Sequence, residues 1–201
     1  MKKWLLTVGL AATLAVPALA GTSTWQLDPN HSTAQFTVRH LGISNVQGDF
    51  TKVTGTVELD DQDITKSSVN ITIDVNSIDT RVKMRDDDLK SEHFFNVAQF
   101  PTITFQSTKI TKTGDNSAKM IGNLTIRGVT KEVTLDITGP TAAIKAMGGL
   151  RRGAAATTKV NRQDFGVSAD PGMVGDEISI QIDLEMVQPQ PAAAPAPAAK
   201  P

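Results

Sequence analysis

Three histidines, His31, His40 and His93, are the side chains best suited to moving a proton or holding a metal ion near neutral pH. Zinc hydrolases set two histidines one helical turn apart with a glutamate between them, or add cysteines. Here the three are scattered and cysteine is absent. Ser32 follows His31, yet neighbouring residues of a strand point to opposite faces and cannot share a proton directly. No Gly-x-Ser-x-Gly turn occurs. Gly148-Gly149 with Arg151-Arg152 resembles a phosphate cradle but lacks the closing Gly-Lys-Ser/Thr. It is expected to form a flexible loop at one end of the fold, where Arg151 or Arg152 could meet an anionic headgroup. No metal site and no catalytic constellation is expected, and binding becomes the chemistry to explain.

The elements that would position such groups are strands. Ala34, Phe36, Val38 and His40 share one face of a run whose other face is Thr33, Gln35, Thr37 and Arg39. The same period of two recurs in Val53–Leu59, Val69–Val75, Ile103–Ser107, Met120–Ile126, Val133–Ile137 and Ile178–Met186. Thr, Val and Ile dominate these runs, as a half-buried pleated surface favours. Asp60-Asp61-Gln62-Asp63, Gly114-Asp115-Asn116, Arg127-Gly128 and Pro171-Gly172 supply turns between them. Seven to nine strands of this kind close into a barrel or stack as a sandwich. From Val82 to Glu92 the spacing of Val82, Arg85, Leu89 and His93 predicts a short helix instead, with Asp79-Thr80 as capping groups and Asp86 paired to Lys90. Phe94, Phe95, Phe100 and Phe105 lie just after it. A helix that crosses or closes one end of a barrel would explain their clustering.

Met1-Lys2-Lys3, an uncharged, mostly apolar run and Ala18-Leu19-Ala20 make residues 1–20 an expected cleaved signal peptide, too short in its apolar part for a membrane span. Residues 21–187 form one expected domain, and 188–201, almost all Ala and Pro, an expected disordered tail. A formal charge of −1, about two units lower without Lys2 and Lys3, gives no electrostatic footprint for nucleic acid. A domain without disulfides is held by its core alone.

Asp28-Pro29-Asn30-His31-Ser32, Phe36-Thr37-Val38-Arg39-His40 and Gly48-Asp49-Phe50 resemble the opening of the YceI-like lipid-binding proteins. Arg85-Asp86-Asp87-Asp88-Leu89-Lys90-Ser91 followed by Phe94-Phe95-Asn96-Val97, Gly122–Thr130, and Asn161-Arg162-Gln163-Asp164-Phe165-Gly166 are similar to later blocks of that family, in order. The resemblance implies a lipocalin-like, extended antiparallel eight-stranded barrel with a short helical insertion. It also implies a periplasmic setting and often a homodimer. The interior would hold a polyisoprenoid lipid, a prenyl diphosphate or an isoprenoid quinone, as ligand rather than cofactor, without enzymatic activity. Asp88 and His93 depart from it, since the family often has His at the first position and an acidic residue at the second.

Phe36, Val38, His40, Phe94, Phe95, Phe100 and Phe105 are accordingly the expected tunnel wall. Two other functions stay open. One is an envelope stress or protein-interaction module with a solid barrel. The other is an isoprenoid-modifying enzyme using His31, His40 or His93 with acids such as Asp28. A carrier drawing its cargo from a bilayer would also touch the membrane transiently.

Overall fold

The computed structural model describes residues 21–189. The expected signal peptide, 1–20, lies outside the described residues, as does the tail from 190 onward. Residues 188 and 189, expected in that tail, continue the last strand.

Among the described residues there are twelve strands: β1 (Ser23–Leu27), β2 (Thr33–His40), β3 (Ser44–Phe50), β4 (Val53–Leu59), β5 (Ser68–Asp74), β6 (Ile78–Asp79), β7 (Thr102–Gly114), β8 (Ser117–Ile126), β9 (Val129–Thr138), β10 (Ile144–Ala146), β11 (Gly149–Asn161) and β12 (Val174–Pro189). One α-helix, α1 (Lys83–Lys90), lies between β6 and β7. β1 and β2 pair in succession with one edge of β12, and with β4 and β3 respectively. They are two halves of one bent strand, as are β3 and β4. Counted in that way, eight strands follow one another round the ring, antiparallel throughout, and β11 and β12 pair along their full common length. The open choice between barrel and sandwich resolves to a closed barrel.

Each period-two run becomes a wall with one dry face. Met120, Gly122, Leu124 and Ile126 of β8 are all buried. Asp115-Asn116 joins β7 to β8 as a two-residue turn. Arg127-Gly128 joins β8 to β9 with both residues at positive φ, 48° and 76°, the twist-compatible hairpin geometry. The register is thereby fixed from Thr125↔Thr130 to Ser117↔Thr138.

Two local expectations are corrected. Gly149, Arg151 and Arg152 belong to β11, not to a flexible loop; the turn is Met147-Gly148. β11 escapes notice because its middle, Gly153-Ala154-Ala155-Ala156, has low strand propensity and no apolar contrast between faces. The helix spans Lys83–Lys90, shorter than 82–92, and its N-cap, Val82, makes no side-chain cap bond. Asp86 instead accepts from the Thr80 N–H and hydroxyl at 2.8 and 2.5 Å, so the ion pair along the helix is Lys83–Asp87, not Asp86–Lys90.

At the kink between β1 and β2 the fold is held by charge. Arg151 of β11 donates to Asp28 Oδ2 at 2.8 Å and to Glu185 of β12, while His31 Nδ1 lies 3.0 Å from Asp28. The guanidinium first, then the His31 contact and the Asn30 N–H, hold the Asp28 carboxyl down to about 2. A carboxyl with a depressed folded pKa stabilises the fold above its unfolded value, and that contribution fades as acid titrates the folded group. In thermal melts, Asp28→Asn should lower Tm at neutral pH by several degrees. It should also flatten the wild-type loss of stability between about pH 4 and pH 2. Parallel curves for the two proteins would refute this role.

Candidate functional site

The ring encloses a cavity of about 230 Å³. Ile178, Ile180, Ile182, Leu184 and Met186 of β12 run along it. Ile71 and Ile73 of β5, Ile103 and Phe105 of β7, and Met120, Leu124 and Ile126 of β8 face them. The side chains expected from alternation therefore do point inward. Ala154 and Ala156 of β11 project toward the same space. These two methyl groups, where other strands carry Ile or Leu, leave the interior unfilled.

Aromatic rings close one end. Phe94 and Phe95, just after α1, line the cavity together with Leu89 of the helix. Phe95 packs edge-on to Phe50 at 6.0 Å between ring centres, and Phe50 sits 5.8 Å from Phe36. Phe50, the last residue of the Gly48-Asp49-Phe50 motif, was not among the expected wall residues. Glycine makes room for two of these rings. A Cβ on Gly48 would sit 2.5 Å from the Phe36 ring, and one on Gly122 would sit 2.4 Å from the Phe105 ring. Each ring thus lies across the neighbouring backbone, a placement any side chain on the glycine would block.

Of the seven wall residues expected from sequence, Phe36, Val38, Phe94, Phe95 and Phe105 line the cavity; His40 and Phe100 do not. His40 is the last residue of β2, past the rim and next to the exposed tip Leu41-Gly42-Ile43. Alternation gives its face but not its height. Phe100 lies in an irregular stretch and stacks on Gly128, whose Cβ would be 2.7 Å from the ring.

The lining is almost wholly apolar. Its polar members are Gln35, Ser67, Thr158 and Arg162. Arg162, only 5% exposed, was not recognised in the sequence as a functional residue. Its Nε donates to the carbonyl of Gly175, Nη1 to those of Val167 and Ala169, and Nη2 to that of Val174, at 2.7–3.1 Å. Its donors are spent on shaping the loop before β12, so it presents no free charge to a ligand. Arg151 and Arg152 lie outside the cavity and are already engaged. Arg151 is held by Asp28 and Glu185; Arg152 lies 2.8 Å from Asp61 and stacks over Trp25 at 5.2 Å. Their expected headgroup role finds no support in this placement. None of the three histidines faces the cavity.

Natural cores seldom keep voids much larger than a water molecule. At ~24 cal/mol per Å³, an unfilled space of this size forgoes about 5–6 kcal/mol, comparable to the net stability of a small domain. An apolar void of ~150 Å³ already admits a benzene-sized ligand.

Fold and cavity together define an up-and-down antiparallel barrel with a hollow apolar interior. Within that class the chain belongs to the YceI-like family, whose domain model matches residues 25–186. It is 38% identical over 187 residues to Protein YceI of Salmonella arizonae, covering 92% of this chain and 97% of that one. Among solved structures, Burkholderia cenocepacia BcnA superposes with a TM-score of 0.70 at 26% identity, over 79% of this chain and 98% of that one. A polyisoprenoid binding domain from Saccharophagus degradans shares the fold at a TM-score of 0.63 and 14% identity, over 82% of this chain and 98% of its own. Asp88 and His93, the two positions expected to depart from the family pattern, face each other, with Asp88 Oδ1 3.3 Å from His93 Nδ1.

Enlarging a small residue tests the void without any ligand. Ala156→Leu should change the unfolding free energy of ligand-free protein by less than ~1 kcal/mol in denaturant titrations, because the added carbons enter free space. In a solid core the same change costs ~1–3 kcal/mol, and a loss of that size would show the interior to be full.

Proposed function

We propose that this protein binds one polyisoprenoid lipid inside its barrel and carries it through the periplasm, after export by cleavage of residues 1–20. The observation that carries the reading is the cavity of about 230 Å³ with an almost purely hydrocarbon lining. An isoprenoid tail asks nothing else of its site, since each buried methylene gains ~0.8 kcal/mol relative to water. The competing solvent in a cell envelope is the bilayer, as apolar as the barrel, so the cavity need only match lipid to exchange cargo with it. Binding is then reversible, and loading requires transient contact with a membrane. The polyisoprenoid binding domain from Saccharophagus degradans, which shares this fold, supports the same class of ligand.

Of the two cargo types, a neutral quinone fits better than a prenyl diphosphate. Among the described residues the cavity presents no uncommitted cation, and Arg151 and Arg152 are already neutralised by Asp28, Glu185 and Asp61. The protein acts as a binder rather than an enzyme, so the lipid leaves unaltered. A homodimer is compatible with this role.

Delipidated protein incubated with a prenyl-tailed quinone should retain one molecule per chain in native mass spectrometry, with unchanged lipid mass. Ala156→Leu should retain at least tenfold less. Failure of the wild type to retain the quinone would leave the solid-barrel interaction module as the better reading, and an altered lipid mass would favour the enzyme.

A further inference from the structure

Two carboxylates converge on one imidazole above the aromatic end of the cavity. Asp88 stands in the last turn of α1, His93 in the segment that follows, and Asp170 in the turn leading into β12. Asp88 Oδ1 lies 3.3 Å from His93 Nδ1, and Asp170 Oδ1 lies 3.8 Å from Nε2. The second distance is beyond hydrogen-bond reach. It is close to the separation of two donor atoms that each bind one transition-metal ion at ~2.1 Å. The first distance suits a carboxylate accepting from the other ring N–H, which fixes the tautomer of a metal-binding histidine and strengthens it as a donor.

We propose that His93 and Asp170, with Asp88 behind the imidazole, bind a divalent transition-metal ion of the zinc type. One ligand atom from each of the three residues lies within 4.8 Å of the others. Among the described residues no lysine or arginine forms a salt bridge with Asp88 or Asp170, so their negative charge is left for a cation to balance. The comparable group at the opposite end, Asp28, His31 and Glu185, differs on this point. There the Arg151 guanidinium already bridges both carboxylates and would repel a metal ion. The ion at His93 would join the end of α1 to the turn before β12. His93 also packs edge-on to Phe94 at 4.9 Å, and Phe94 lines the cavity, so occupancy would stiffen the cap. The site stands whether or not the barrel carries lipid.

The test is calorimetric titration of zinc chloride into the untagged, chelator-stripped full chain at neutral pH. One saturable site per chain is expected. His93→Ala and Asp170→Asn should each weaken it at least tenfold. Asp88→Asn, which removes the negative charge behind the ring while keeping an acceptor oxygen, should weaken it roughly tenfold. His31→Ala should bind as wild type. His93 and Asp88 are half exposed, so their variants should melt normally, and Asn tolerates the left-handed backbone of Asp170. Cobalt substituted for zinc should give a visible absorption band that His93→Gln abolishes. Absence of saturable heat, undiminished binding in His93→Ala, or loss of binding in His31→Ala would overturn the site.

Discussion

An eight-stranded ring fixes the width of its own interior, and side-chain size alone then decides whether that interior is full or hollow. Here the decision falls on β11. Opposite walls supply Ile, Leu, Met and Phe, and an Ile or Leu on β11 would bring them into contact across the axis. Ala154 and Ala156 withhold that bulk. The remaining architecture follows from keeping such a space dry and closed. The strands alternate so that the inward faces are almost wholly apolar, and the bent halves β1/β2 and β3/β4 complete the ring without an open edge there. Rings of Phe36, Phe50 and Phe95 pack against one another where the wall gives way to the helical insertion.

The buried and half-buried arginines fasten chain segments. Arg151 binds Asp28 and Glu185 and so ties the β1–β2 kink to β11 and β12. Arg162 gathers four carbonyls, two from the loop before β12 and two from the first residues of β12 itself. Arg127, in the β8–β9 turn, donates to the carbonyls of Glu92 and Gly166, joining the insertion to the same loop. Burying guanidinium groups is costly unless their donors are used; Arg162 uses its Nε and both terminal nitrogens on backbone oxygens, whereas Arg127 and Arg151 bond through their terminal nitrogens and leave Nε without a partner. Arg162 is the one charged side chain of the cavity lining among the described residues, and its donors are held by backbone oxygens.

Much of this was legible in the sequence, for one physical reason. A strand with one wet and one dry face must alternate, so Ile178–Met186 and Met120–Ile126 announced both their element and their inward face. The inward positions of Phe36 and Val38 followed from the same rule, and the Arg127-Gly128 turn from the need for positive φ. Four things were hidden. β11 has alanine on both faces and so shows no contrast to read. The height of a residue along the axis is not encoded by a period of two, which is why His40 shares the inward side yet sits beyond the rim. Phe100 lies in irregular chain, where no period applies. The ion pairs of Arg151 and the carbonyl cage of Arg162 join residues distant in sequence, or depend on loop geometry, and neither leaves a local pattern.

The proposed function rests on the lumen being an open, apolar space that can take an extended hydrocarbon. Its most direct test is high-resolution diffraction from crystals of the protein refolded with a prenyl-tailed quinone. The account predicts continuous electron density for the tail between Ala156 and the row Ile178–Met186, with the surrounding side chains in essentially the positions described. Side chains from opposite walls meeting along the axis, with the quinone elsewhere or absent, would contradict it.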